Sequence, residues 1–141
     1  MQGILCLGGR MKKDVGSIIL TRQELLIMKV VWERGQATVR EVCDIISQQK
    51  ATAYTTILTL MGILEGKGAL SHTRCGRAYI YRPLLSREQA TKNQVHDVVK
   101  RFFDGRPEKL IENILQNEVV IPEQLSAVIG LLESRRQHQV A

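Results

Sequence analysis

The stretch AYTTILTLMGILEGKGALSHTRCGRAYIYRP, residues 53–83, decides the fold. Ala53, Ile57, Leu60, Met61 and Leu64 recur at helical spacing, which predicts a helix over about residues 52–66 with one buried face. Gly66 and Gly68 close it, and residues 70–73 and 78–82 read as two strands. Between them Arg74, Cys75, Gly76 and Arg77 form a short basic turn, with a glycine free to take an unusual dihedral. Tyr79 and Tyr81 alternate with period two, as on one half-buried strand face anchoring the hairpin to the helices; stacking on nucleic-acid bases beside the arginines is the alternative.

The far side of that helix carries Thr52, Thr55, Thr56 and Thr59. β-Branched residues lower helix propensity, so helix stability does not account for four of them. Hydroxyls and methyls suit a DNA major groove, where they bond phosphates or base edges and pack on thymine methyls. The alternative is back-bonding of the hydroxyls onto helix carbonyls. Arg74 and Arg77 at the hairpin tip are placed to neutralise phosphates.

Working outward, three helix starts share one device. Thr21 with Glu24, Thr38 with Glu41 and Ser86 with Gln89 each match a capping box. Leu25, Ile27, Met28, Val31 and Trp32 follow the first, which ends near Gly35, and Val39, Val42, Cys43 and Ile46 follow the second. Helix, helix, turn, helix and hairpin is the order of a winged helix-turn-helix, here over residues 18–85. Beyond Pro83, Val95, Val98, Val99, Phe102 and Phe103 form one apolar stripe. Leu110, Ile111, Ile114 and Leu115 form a second, and Leu125, Val128, Ile129 and Leu132 a third. Short helices over residues 86–141 make a poor independent core. Pairing with a second copy would bury the first and third stripes; packing back on the same chain is the alternative. The expected class is mainly α with a small β-hairpin wing and a C-terminal helical dimerisation region. Residues 1–17 are expected to be a flexible leader, in which Met11 before Lys12 and Lys13 offers another translation start.

Charge agrees with a polyanionic partner. The net charge of +6 lies wholly in the first part: twelve basic against six acidic residues up to Leu85, and eight against eight beyond it. Charge alone is equally compatible with a solvated basic surface. Cys6, Cys43 and Cys75 show no paired spacing for a metal and fit a reducing cytoplasm. Cys75, between Arg74 and Arg77, is either a redox-sensitive thiol or, more simply, an inert one. No apolar run reaches the ~20 residues of a membrane span. No glycine-rich phosphate loop, His/Glu metal motif or nucleophile elbow is present, so neither an enzyme nor a cofactor is expected.

The segments LTRQELLIMKVVW (20–32), TVREV (38–42), AYTTILTLMGIL (53–64), EGKGAL (65–70) and above all GRAYIYRPLLSRE (76–88) resemble the penicillinase repressors of BlaI/MecI type, with their CopY relatives. The resemblance covers roughly residues 20–135. It implies a cytoplasmic homodimeric repressor on palindromic operators of double-stranded DNA, controlling β-lactam-resistance or related stress genes. By position it puts Tyr54, Thr55 and Thr56 nearest the DNA, Arg40 and Lys50 by the backbone, and Arg74 and Arg77 on the wing. It also implies a membrane sensor-protease pathway that acts indirectly, ending in cleavage of an Asn-Phe bond. Asn113-Ile114 stands at that place here, without the aromatic. Many members carry a basic residue where this chain has Gly62-Ile63, and the CopY type ends in cysteine motifs missing from Glu133-Ser134-Arg135-Arg136-Gln137. The competing reading is a winged-helix module that binds proteins and not DNA.

Overall fold

A computed structural model describes residues 15–140. The expectations for Met11 and Cys6 lie outside the described residues. One 3-10 turn, Val15–Ser17, leads to Ile18, which is buried in the core. Then come α1 (Arg22–Arg34), α2 (Val39–Ser47), α3 (Tyr54–Lys67), β1 (Leu70–Cys75), β2 (Ala78–Pro83), α4 (Arg87–Phe102), α5 (Pro107–Asn117) and α6 (Pro122–Val140). The chain divides into two compact units between Asp97 and Val98, within α4.

In the first unit α1, α2 and α3 pack on one another, and α1 to α3 each touch the hairpin. The core joins Ile27, Met28 and Val31 of α1, Val39 and Val42 of α2, and Ile57, Met61 and Leu64 of α3 to Leu70, Tyr81 and Leu85. Two capping boxes form as the spacing predicts. Thr21 Oγ1 accepts from Glu24 N and Thr38 Oγ1 from Glu41 N, and each glutamate carboxylate accepts in return from the cap residue's N–H. At Ser86 only half of the box forms: the hydroxyl accepts from Gln89 N at 3.0 Å, but the Gln89 amide is drawn to Asn93 Oδ1 at 2.8 Å. Gly35 ends α1 at φ +84°.

Helix α3 begins at Tyr54, two residues after the position that the spacing suggests, because Thr52 is held in the preceding turn. Ser47 Oγ accepts from Thr52 N at 3.3 Å and lies 3.2 Å from its carbonyl, which also accepts from Cys43 Sγ at 3.4 Å. Ala53 is consequently an exposed N-cap and not part of the inward face. The two strands pair antiparallel in the register Leu70↔Pro83 to Cys75↔Ala78, each longer than the sequence suggests. The turn shrinks to Gly76 and Arg77, so Arg74 and Cys75 belong to β1. Ala37 bridges Tyr81 through both of its backbone bonds, which clamps the entry of α2 to the wing. Trp32 Nε1 donates to Leu85 O at 2.7 Å, and the Arg87 guanidinium lies over its ring.

In the second unit α5 starts with Pro107 at its first turn and α6 with Pro122. No described residue of either helix is buried. No helix among the described residues is long and apolar enough to cross a membrane.

Candidate nucleic-acid interface

The turn between α2 and α3 fixes the candidate surface. With Thr52 tied to the end of α2, the first turn of α3 emerges with Tyr54, Thr55 and Thr56 exposed and Thr59 one turn on. The hydroxyls of Thr55, Thr56 and Thr59 have no hydrogen-bond partner among the described residues, whereas Thr91 back-bonds to Arg87 O at 2.9 Å. Thr52 differs: it is half-buried and its hydroxyl donates to Lys50 O at 2.8 Å.

Arg40 and Lys50 are exposed on α2 and on the turn, and Arg74 and Arg77 on the hairpin. The Arg40 guanidinium lies 5.1 Å from the centre of the Tyr54 ring, so a cation–π contact brings these two predicted residues together at the start of α3. Arg74 Nε donates to Gly76 O at 3.2 Å, which steadies the turn. None of Arg40, Lys50, Arg74 and Arg77 meets a carboxylate among the described residues, unlike Arg34 with Glu41 (3.1 Å) or Lys67 with Glu24 (2.7 Å). Cations without counter-ions on the protein are free to neutralise phosphates.

The wing is braced against α3 by a pairing of His72 with Glu65 that the sequence spacing did not reveal. His72 Nδ1 lies 2.7 Å from Glu65 Oε2, joining β1 to the end of α3. The His72 ring also packs on Tyr79 and Tyr81, with centroids 4.5 and 5.3 Å apart. Tyr81, 4% exposed, anchors the wing in the core. Burial, then the charge of Glu65, raises its phenol above the usual 10.0. Tyr79 is exposed and rests on His72, so only one of the two tyrosines anchors the hairpin in the core. Arg82, exposed on β2, donates to Thr73 Oγ1 at 2.9 Å and adds a wing cation that strand alternation could have revealed. Exposed Leu58, one helical turn after Tyr54, was likewise legible from spacing. Cys75 is exposed and Cys43 buried, both as free thiols.

Of the residues expected in a dimer contact, Val99 is buried and Val98 and Phe103 are half-buried. Val95, Phe102, Leu125, Val128, Ile129 and Leu132 are exposed. Asn113 and Ile114 lie inside α5, where Asn113 O accepts from Asn117 Nδ2 at 3.0 Å.

The sequence profile of the penicillinase repressor family matches residues 20–134. The penicillinase repressor of Bacillus licheniformis is 28% identical over 116 residues, covering 82% of this chain and 91% of its own. The methicillin resistance regulatory protein MecI of Staphylococcus aureus (strain N315) is 18% identical over 116 residues, 82% of this chain and 94% of its own. Among solved structures, the monomeric form of Bacillus licheniformis BlaI in complex with the blaP half-operator is 30% identical. That match covers 52% of this chain and 89% of the chain in that structure, at a TM-score of 0.46.

Proposed function

We propose that this chain, which belongs to the penicillinase repressor family, is a DNA-binding transcriptional repressor that acts in the cytoplasm as a homodimer on palindromic operators. Its role is regulatory and not catalytic. The observation that carries the reading is the arrangement around α3: unengaged hydroxyls at its exposed start, with cations that lack carboxylate partners on the turn before it and the hairpin after it. In this reading Thr55, Thr56 and Thr59 enter the major groove, Arg40, Lys50 and Thr52 lie along one backbone, and Arg74 and Arg77 reach the next phosphates.

The apolar side chains left exposed on α4 to α6, Val95 and Phe102 on the first of them, would supply the pairing surface that a reader of two half-sites needs. Target genes are of the β-lactam-resistance or a related stress class. Release through a sensor-protease pathway at Asn113-Ile114 requires α5 to unwind locally, because proteases take extended backbone and this bond is helical.

The test is anisotropy of the full chain on its own upstream DNA and on a scrambled duplex, at low and near-physiological salt. Binding should weaken about 10³- to 10⁵-fold across that range on the scrambled duplex while the native fragment stays bound. Equal, salt-labile binding to both would reduce the surface to a general polyanion binder.

A further inference from the structure

Helix α3 presents an outward face of unusual composition. From Tyr54 to Leu64 it holds no charged residue and neither Asn nor Gln. Buried Ile57, Met61 and Leu64 fix the inward direction. At about 100° per residue the opposite line runs through Thr55, Thr59, Gly62 and Gly66. Leu58 lies on one shoulder of that line and Ile63 on the other, each 44% exposed. Bidentate reading of guanine takes Arg or Lys, and of adenine Asn or Gln. This stretch has none of them. It offers methyl groups and hydroxyls, and the matching feature on a major-groove edge is the thymine C5-methyl.

Gly62 is a second, independent observation. A Cβ added there would meet nothing within 4 Å, and Gly62 has no positive φ. Neither packing nor backbone conformation within the described residues calls for glycine, which weakens a helix relative to alanine. What glycine supplies at an open helix face is close approach of the backbone to another surface. The cations without carboxylate partners on the elements before and after α3 make that surface a polyanion.

We infer that α3 reads its operator by steric fit of Thr55, Leu58, Thr59 and Gly62 against thymine methyl groups, with Gly62 letting the helix backbone close on the base edges. This rests on the repressor function proposed above and names the chemistry of its specificity. Long polar side chains play no part in it.

The full-length protein is first used to enrich a binding site from a random duplex pool. The enriched duplex is then compared with a copy carrying uracil for every thymine, which keeps pairing and phosphates and deletes only the methyls. Wild type should bind the uracil copy about fifteenfold more weakly, two contacted methyls contributing about fourfold each. Leu58→Ala should bring the thymine-to-uracil ratio towards one, whereas Arg77→Ala should weaken both duplexes and leave the ratio unchanged. Gly62→Ala should melt at a higher temperature yet bind the thymine duplex several-fold more weakly. An enriched sequence bound equally well with uracil overturns the methyl readout and leaves the repressor standing. A Gly62→Ala protein that is stabilised and binds normally overturns the close approach. No enriched sequence at all removes the repressor reading, and this inference with it.

Discussion

Glu24 shows how one residue links the sequence's local grammar to its tertiary structure. The residue is 3% exposed, and its Oε1 accepts from Thr21 N at 2.9 Å and from Lys67 Nζ at 2.7 Å. Lys67 also donates to Ile19 O at 3.1 Å, so the end of α3 is tied to the segment before α1. Burial alone would raise the Glu24 pKa. The hydrogen bonds from Lys67 and Thr21 and the charge of Lys67 outweigh it, and the carboxyl lies below its ordinary 4.5. A carboxylate depressed in the folded state stabilises fully above its unfolded pKa, and that stability is lost as pH falls through the folded value. Melting temperature should therefore drop as pH falls below 4.5, and Glu24→Gln should flatten that slope in a pH series of thermal melts. Lys67→Met leaves the carboxylate buried without its cation and should cost about 1–2 kcal/mol in urea unfolding. This is less than for a fully buried pair, because solvent screens the partly exposed lysine. The capping role of Glu24 was legible three residues from Thr21. Its partner was not, since Lys67 is 43 residues away and only the fold brings the two together.

At the scale of elements the wing depends on Gly76. Its φ of +65° falls at the first central position of a two-residue turn, where an L side chain is strained. Gly76→Val should destabilise the hairpin by about 1–2 kcal/mol. Faster amide exchange confined to Leu70–Pro83, with α1 and α3 still protected, is the expected signature. Arg77→Ala, one residue on, should leave exchange unchanged and instead lower the salt slope of DNA binding by about 1, one phosphate contact's worth. Unchanged exchange in the glycine variant would mean that the turn tolerates another geometry. The hairpin was legible from Gly66, Gly68, Gly76 and the alternating tyrosines. Its length was not, because pairing through Arg74 and Cys75 is decided by the partners Tyr79 and Ala78 across the ladder. Likewise the start of α3 slipped from Thr52 to Tyr54, since the Ser47 hydroxyl binds the Thr52 backbone more directly than any helix pattern reveals.

For the whole molecule the decisive quantity is apolar surface left in water. Ile111, Ile114 and Leu115 of α5 and Leu125, Val128, Ile129, Leu131 and Leu132 of α6 are all exposed, in helices none of whose described residues is buried. At 11 residues α5 is marginal alone, and helices in proteins take most of their stability from packing an apolar face. The stripes were legible as heptad-like spacing; what covers them is not written in one chain, because a homodimer contact and an internal one use the same residues. If a second copy covers them, the melting temperature must rise with protein concentration, since association stabilises by mass action. Replacing Ile129 and Leu132 together by Glu should give a monomer in light scattering at micromolar concentration. Affinity for a palindromic duplex should fall steeply, while affinity for a single half-site stays unchanged, because the determinants on α3 and the wing lie in the other unit. A wild-type chain that is monomeric at that concentration, with a melting point indifferent to dilution, would require the two half-sites to be read independently. The steep palindrome dependence would then vanish with the dimer.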